Sequence, residues 1–266
     1  MSPERQQRKA ERFAALHAGE PFLIPNPWDA GSARVLEALG FRALATTSSG
    51  FAFTLGQLDG AATLDEVVAH TRALDEATEL PVSVDLENGY GPAPEDAANA
   101  IRRVAAAGAV GGSIEDYDRE IGIYEREHAA ERVAAAAEAA RALGFPFQLV
   151  GRAENHIRGR DDLADTIARL QAYGAAGADV LYAPGLRTVE DIRAVCESVG
   201  KPVNVLAVPA LTVEEIFAAG AQRISVGGSL AWVAARALAE AADALRDGDL
   251  SPLGARVPLA EWFRSS

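Results

Sequence analysis

One pattern recurs eight times along this chain and restricts its fold more than any other feature. A short apolar stretch that suits a buried strand is followed each time by a longer stretch whose apolar residues have helical spacing. The predicted strands cover residues 22–25, 43–46, 82–85, 111–114, 147–151, 179–182, 203–206 and 223–226. A first helix covers about residues 3–18, and the next follows the turn at 26–29 and ends at residue 40. The remaining predicted helices cover residues 64–77, 94–107, 129–143, 161–176, 189–199, 213–219 and 230–245. Eight such units predict a closed (β/α)8 TIM barrel rather than an open sheet.

Several of the predicted helices end in Ala-Leu-Gly or Ala-Ala-Gly, at Gly40, Gly108, Gly177 and Gly220. Glycine supplies the left-handed residue that commonly ends a helix, and the next predicted strand follows within a few residues. No shift in composition marks a linker. We therefore expect one barrel domain over residues 1–266, with an N-terminal helix and a C-terminal extension, and an active site at the carboxyl ends of the strands.

Composition excludes several classes of partner. The chain has 25 Lys and Arg against 38 Asp and Glu, which gives a formal net charge of -13, and no basic cluster offsets it. Binding to nucleic acid or to an anionic membrane is therefore not expected. No apolar run approaches the roughly 20 residues that span a bilayer, and the N-terminus predicts an amphipathic helix, so we expect a cytoplasmic protein. The single cysteine, Cys196, excludes an internal disulfide.

The segment 82–91 places two carboxylates where a buried strand runs into a glycine-containing turn. Asp85 and Glu87 lie two residues apart, so in extended geometry their side chains point to the same side. Two acids on one face repel each other unless a cation or a proton intervenes. A hard divalent ion suits them, and Mg2+ needs only one or two direct carboxylates. The alternative is that these acids cap the next helix or lie solvated in a loop.

Charged residues also follow the fourth and fifth predicted strands. Glu115 and Asp116 follow the fourth strand, next to the strand that carries Asp85. Acids at the same level of neighbouring strands strengthen the prediction of a cation site. Arg152 ends the fifth strand and offers a planar fork for a substrate carboxylate. Its alternative role is an ion pair with the neighbouring acids.

Two small-residue segments could bind an anion. Residues 46–51, after the second strand, combine hydroxyl side chains with a glycine, which suits a carboxylate or an oxyanion, although a simple tight turn has the same composition. Gly227 and Gly228 precede the last barrel helix, where barrels often bind phosphate. That pair would support a phosphorylated substrate, or would serve only close packing.

Together these segments resemble the isocitrate lyase and phosphoenolpyruvate mutase superfamily. The resemblance runs from residue 26 to about 232 and is carried by four segments, 48–51, 85–91, 114–116 and 151–154. The segment 85–91 is similar to the family's Asp-x-Asp-x-Gly-[TyrPhe]-Gly metal motif, with Glu87 in place of the second aspartate. The segment 114–116 matches its Ile-Glu-Asp motif. These two segments carry most of the resemblance.

The resemblance implies a cation and a ligand set. It implies Mg2+, with Mn2+ as an alternative, held by Asp85, with Glu87, Glu115 and Asp59 contributing directly or through water. It further implies a 2-oxo acid or dicarboxylate that binds this ion. The implied ligand-binding residues are Ser48, Ser49, Gly50, Asp85 and Arg152, and the implied catalytic residues are Arg152 and Glu115.

Two departures from the family narrow the expected activity. The segment 117–124 has neither the cysteine nor the lysine of the isocitrate-cleaving members, so we do not expect a true isocitrate lyase. It also lacks the lid lysine and asparagine of the mutases, and the sixth strand is followed by 182–185 without a histidine. We expect a C–C lyase or decarboxylase of the oxaloacetate type, acting through an enolate. The alternatives are a C–P mutase or hydrolase and a non-catalytic 2-oxo acid binding protein. The resemblance also implies a homodimer or homotetramer that exchanges the last barrel helix.

Overall fold

The strands follow the predicted order closely. The computed structural model describes residues 2–254 and 256–263. Its strands are β1 (Phe22–Ile24), β2 (Leu44–Ala45), β3 (Val82–Asp85), β4 (Gly111–Glu115), β5 (Tyr117–Asp118), β6 (Gly122–Ile123), β7 (Gln148–Arg152), β8 (Val180–Tyr182), β9 (Val203–Leu206) and β10 (Arg223–Ser225). β5 and β6 form a small antiparallel hairpin. The other eight are parallel and form one sheet in the order β1-β10-β9-β8-β7-β4-β3-β2.

The two ends of this sheet, β1 and β2, meet through the residues that follow β1. Ala45 N donates to Pro25 O at 3.1 Å. The Asn26 side chain donates to Thr46 O at 2.8 Å. These bonds join the edge strands, and the predicted (β/α)8 TIM barrel is confirmed.

The helices surround the barrel. They are α1 (Pro3–Ala18), α2 (Ala30–Ala38), α3 (Ser48–Thr54), α4 (Leu64–Ala77), α5 (Pro94–Ala107), α6 (Arg126–Arg141), α7 (Leu163–Ala176), α8 (Val189–Ser198), α9 (Val213–Ala218), α10 (Ser229–Arg246) and α11 (Leu259–Trp262). α4 and α5 have the predicted limits because their ends are fixed locally. Thr63 and Glu66 form a capping box at the start of α4, and Gly108 ends α5 with a φ of 118°.

α1 closes the amino end of the barrel. Phe13 is buried in a small core cluster with residues of β1. Lys9, also buried, forms an ion pair with Asp75 of α4 at 2.6 Å. On the barrel side, Arg223 of β10 contacts His17 Nε2 at 3.1 Å. The opposite, carboxyl end of the barrel is left for a functional site.

α10 buries little of its surface in this chain. Only Ala231 is buried, whereas Trp232, Val233 and Leu238 are exposed. Neither α10 nor any other helix in the described ranges is long and apolar enough to cross a membrane. The exposed face is one that another protomer could cover, and the exchange of this helix stays a prediction.

The C-terminal extension returns to the barrel wall. The Phe263 backbone oxygen accepts a hydrogen bond from Arg34 of α2 at 3.2 Å. The organisation as one domain over 1–266 stays a prediction, and residues 1, 255 and 264–266 lie outside the described residues.

α3 was not predicted, because residues 46–51 were interpreted as an anion-binding segment or a tight turn rather than as the start of a helix. Thr47 accepts a hydrogen bond from Gly50 N at 3.3 Å and so caps the first turn of this helix. Phe51 then stacks on His70 of α4, with 4.0 Å between ring centroids. The fold therefore holds α3 against α4 through an aromatic pair.

His70 should make the protein sensitive to mild acid. Burial lowers the pKa of His70 from 6.5 to about 4, although Asp29 raises it slightly. Between these two values the unfolded chain takes up a proton that the folded chain does not, so stability falls as pH drops from 6.5 towards 4. His70→Phe keeps an aromatic ring to stack on Phe51. It should reduce by about 2 to 3 kcal/mol the loss of unfolding free energy between pH 6.5 and pH 4.

Urea unfolding at several pH values measures this effect. His128→Gln, at a histidine whose side chain is 39% exposed, is the matched control. An unchanged slope in His70→Phe would show that His70 does not contribute.

Candidate active site

A cavity of about 290 Å³ opens at the carboxyl ends of the strands. Five predicted site residues line it together: Ser48, Asp59, Glu87, Glu115 and Arg152. They come from four separate parts of the barrel rim. The structure therefore brings together side chains that are up to about a hundred residues apart in sequence, as a barrel requires of a site at this end.

Asp85 lies deeper, at the end of β3. It lines a smaller cavity of about 50 Å³ inside the barrel, and Arg152 lines both cavities. Ser48 N donates to Asp85 Oδ2 at 3.2 Å, and Asp85 N donates to Thr46 Oγ1 at 2.8 Å. The start of α3 is thus fixed to the carboxylate that the sequence analysis proposed as the main metal ligand.

Arg152 is surrounded by three carboxylates. Its Nε lies 2.6 Å from Glu154 Oε1, and its Nη1 lies 3.3 Å from Glu115 and 3.5 Å from Asp85. Burial by itself lowers the pKa of Arg152, but Glu115, Glu154 and Asp85 raise it well above its ordinary value. The ion pair considered from the sequence is therefore formed. It also holds the guanidinium in a fixed orientation at the cavity wall.

Two of the acids carry raised pKa values. Burial, together with Asp85 and Asp59, raises the pKa of Glu87 to about 7. Burial also raises the pKa of Glu115 well above its ordinary value, although Arg152 opposes this shift. Glu87 Oε1 is buried without a hydrogen-bond partner in the described residues. Arg152 therefore does not offset the cost of charging these two buried acids, and a cation bound beside them would favour their charged forms.

This donor set fits Mg2+. Within residues 2–254 and 256–263, no three acids or other metal-binding side chains converge closely enough to form a complete protein cage. Mg2+ does not require one, because it usually keeps several waters and takes only one or two carboxylates directly. Carboxylate oxygens are the ligands it prefers, and the unpartnered oxygen of Glu87 is available. Asp85, Glu87, Glu115 and Asp59 would hold the ion, and their roles stay predictions.

Asp116, the neighbour of Glu115, has a structural position instead. Its Oδ1 accepts a hydrogen bond from Glu154 N at 2.7 Å. Its Oδ2 pairs with Arg169 at 3.0 Å and accepts a hydrogen bond from the Tyr173 hydroxyl. Successive strand residues point to opposite sides, so Glu115 faces the cavity while Asp116 fixes β4 to α7 and to the loop after β7.

The remaining predicted ligand residues, Ser49 and Gly50, lie outside the cavity lining. Ser49 Oγ is 3.1 Å from Thr47 Oγ1, and Gly50 is buried in the first turn of α3. Ser49 also packs against Gly228, where a Cβ would come within 2.6 Å of its hydroxyl. Their contact with a ligand stays a prediction.

The glycine pair after β10 serves close packing in this structure. Gly228 leaves room for Ser49 and for Trp232. The backbone N–H groups of Val226 and Gly227 donate to Asn26 Oδ1 at 2.8 and 3.0 Å. Because the N–H groups of Val226 and Gly227 are already occupied, neither is available to bind a phosphate group.

Sequence reasoning missed two arginines that line the cavity, Arg119 and Arg158. Arg119 lies on the β5–β6 hairpin, which belongs to the lid, defined here as residues 117–128. Its guanidinium donates to Asp59 O and leaves no space for a Cβ at Gly60. The lid is thereby attached to the loop that carries a predicted metal ligand. No local sequence pattern marks this contact, which joins residues sixty positions apart.

Arg119→Met should loosen the lid. Loss of this exposed hydrogen bond favours local opening by about fivefold, because a hydrogen bond in water contributes about 1 kcal/mol. Limited proteolysis with chymotrypsin, which cleaves after Tyr117 or Tyr124, should be faster by that factor at unchanged melting temperature.

Arg126→Met is the matched control, since Arg126 is exposed at the start of α6 and pairs only with Glu127 among the described residues. Equal cleavage rates in both variants and in the wild type would show that Arg119 does not hold the lid.

The fold and the site together define a (β/α)8 barrel protein with an acid-rich cavity and a buried arginine at the carboxyl ends of its strands. A family model described as phosphoenolpyruvate phosphomutase matches residues 13–246. The chain belongs to this family, within the isocitrate lyase and phosphoenolpyruvate mutase superfamily, and the predicted resemblance is confirmed.

Named relatives cover most of the chain. Oxaloacetate decarboxylase of Rhodopseudomonas palustris (strain BisB5) is 33% identical over 256 residues, which cover 92% of this chain and 86% of the relative. A structure from Burkholderia cenocepacia J2315, named only provisionally as a lyase or mutase, is 51% identical with a TM-score of 0.95 and 98% coverage of both chains. Oxaloacetate acetylhydrolase in complex with oxalate is 26% identical, with a TM-score of 0.87 and coverage of 97% and 94%.

Proposed function

We propose that this protein is a magnesium-dependent enzyme that breaks a C–C bond of a small 2-oxo acid, as a lyase or decarboxylase of the oxaloacetate type. The observation that carries the proposal is the unpartnered, buried Glu87 oxygen in a cavity that also contains Glu115, Asp59 and Arg152. An excess of carboxylate oxygens beside a fixed arginine suits a cation together with an anionic ligand. Relatives named as oxaloacetate decarboxylase and oxaloacetate acetylhydrolase support the choice of substrate class.

The residues of this chain have separable roles in such a reaction. Arg152, oriented by Glu154 and Glu115, binds a carboxylate of the substrate with its planar fork. Asp85, Glu87, Glu115 and Asp59 hold the cation. When bound, Mg2+ supplies Lewis-acid stabilisation of the negative charge that develops on the substrate oxygen as the C–C bond breaks and an enolate forms. The lid covers the cavity and limits the access of water.

The composition of the lid distinguishes the proposed reaction from the isocitrate cleavage carried out by other members of the family. Residues 117–124 contain neither cysteine nor lysine, so the cysteine acid implied for isocitrate cleavage has no counterpart here. Cleavage or rearrangement of a C–P bond remains the second candidate, and the family model's description is the observation that favours it. A protein that binds 2-oxo acids without turnover is the third.

Turnover assays distinguish the three candidates. The protein is incubated with Mg2+ and oxaloacetate, 2-methylisocitrate or phosphonopyruvate, and pyruvate, phosphoenolpyruvate and oxalate are measured as products against a blank that contains Mg2+ alone. We expect release from oxaloacetate above the blank, its loss with EDTA, and its recovery with Mg2+ or Mn2+. Turnover of phosphonopyruvate alone would support the C–P reaction, and oxalate binding without any turnover would support the binding protein.

We also infer a homodimer or homotetramer that covers the exposed face of α10. Trp232, Val233 and Leu238 present apolar surface that a second copy would bury. Light scattering should give two or four times the 27.9 kDa of one chain. A monomer at micromolar concentration would contradict the inference.

A further inference from the structure

Arg158 lies at the rim of the cavity, on the turn that follows β7. Its Nε and Nη2 atoms both lie 2.9 Å from Glu154 Oε2. The guanidinium also stacks over the Tyr117 ring of the lid, 3.7 Å from the ring centroid. The side chain is 40% exposed, yet it is held from two sides. Little conformational entropy would be lost if its remaining donor bound a ligand.

That remaining donor is Nη1. It has no hydrogen-bond or ion-pair partner in the part of the chain that the structure describes, although Arg158 lines the cavity. Glu154, which is fully buried, shares its charge between Arg158 on Oε2 and Arg152 on Oε1. Glu115 is 4.0 Å from Nη2, too far for a hydrogen bond. Arg158 is thus only partly neutralised, and both N–H groups of Nη1 are free of partners among the described residues.

The spacing of the two arginines suits a ligand with two acidic groups. Arg152 at the floor and Arg158 at the rim contact opposite oxygens of the same carboxylate, so their guanidinium groups are separated by about the width of Glu154. Two carboxylates joined by a chain of two carbons can reach both. A ligand with a single acidic group can occupy Arg152 alone.

The hairpin that Arg158 stacks on also carries charged residues. Asp118, Arg119 and Glu120 of this hairpin line the cavity. The carboxylate of Asp118 is already bound by backbone N–H groups of the hairpin and by Asn88. Neither acid offers a donor, and both repel an anionic group. Arg119 lies between these two acids and is held only by its bond to Asp59 O, whereas Arg158 is held from two sides, so the second acidic group of a ligand would bind at Arg158.

We infer that Arg158 binds the second acidic group of the substrate, so that this cavity selects four-carbon 2-oxo dicarboxylates over 2-oxo acids with one carboxylate. The inference rests on the proposed function and assigns substrate selection to a residue outside the metal-binding and Arg152 positions. Arg158 increases the affinity for a dicarboxylate. The cation and Arg152 bind the carboxylate and the 2-oxo group that all 2-oxo acids share.

Two probes separate these contributions. Oxalate mimics the carboxylate and the neighbouring oxygen that all 2-oxo acids share, whereas 3,3-difluorooxaloacetate carries a further carboxylate, separated from the first by two carbons. Isothermal titration in saturating Mg2+ gives the dissociation constant of each for the wild type, Arg158→Gln and Arg158→Lys. Arg160→Gln, an exposed arginine on the same turn that does not line the cavity, is the matched control.

We expect Arg158→Gln to weaken the binding of difluorooxaloacetate at least tenfold, because a charge-assisted hydrogen bond is lost. The binding of oxalate should weaken less than twofold. Arg158→Lys, which keeps the charge but loses the fork, should give an intermediate loss. Equal losses for both probes, or no loss for difluorooxaloacetate, would overturn the inference while the proposed function stands. Failure of the wild type to bind either probe with Mg2+ would overturn both.

Discussion

Replacing Asp85 with asparagine should weaken Mg2+-dependent oxalate binding by about 100-fold or more, because it removes the charge of the carboxylate at the centre of the proposed cation site. Asparagine keeps the shape of the side chain and an oxygen that can accept from Ser48 N. The change therefore tests the charge rather than the packing. It also leaves Arg152 with Glu115 and Glu154 as partners, so the barrel should remain folded.

Isothermal titration of oxalate with and without Mg2+ measures this effect, and circular dichroism confirms the fold. Asp65→Asn is the matched control, because Asp65 is an exposed aspartate on α4 that pairs with Arg103. An Asp85→Asn protein that titrates Mg2+ and oxalate like the wild type would contradict the assignment of Asp85 as a metal ligand.

Arg152→Lys should lower kcat/KM for oxaloacetate by about 100-fold, which corresponds to roughly 2.7 kcal/mol of transition-state stabilisation. Lysine keeps the positive charge but cannot reach Glu154 and Glu115 together through a planar fork. The substrate carboxylate would then be held less firmly. Arg152→Met should in addition destabilise the fold by about 3 to 5 kcal/mol, because it removes the cation beside Asp85 and Glu115, and Arg158 pairs closely only with Glu154.

Steady-state kinetics and urea unfolding test these two variants. Arg102→Lys, on the exposed face of α5, is the control and should retain wild-type values. If Arg152→Met were as stable as the wild type, the three carboxylates would have to be neutralised in another way, and the proposed role of Arg152 would be wrong.

Much of the barrel could be predicted because its signals are local. β3, β9, α4 and α5 have the predicted limits, since apolar periodicity and terminal residues such as Gly108 act over a few positions. Most other limits shift by one to three residues. α3 was missed because it has seven residues and depends on the Thr47 cap and on packing against His70, which no periodic pattern shows.

The candidate site was predictable where barrel geometry alone brings residues together. Glu87, Glu115 and Arg152 follow strands that the pattern identifies, and the barrel places strand ends on one rim. Asp59 came from the family resemblance. Arg158 could not be predicted, because its role depends on the stacking with Tyr117 and on the shared carboxylate of Glu154.

The sequence by itself determined the eightfold alternation of strands and helices, the strand ends that carry acids, and the family. Only the tertiary structure decided which neighbouring residues face the cavity, as with Glu115 and Asp116, and which arginine donors are left unpaired. The reason is physical. Periodicity and helix ends depend on neighbours in the chain, whereas burial, charge pairing and pKa shifts depend on side chains that folding brings together from distant positions.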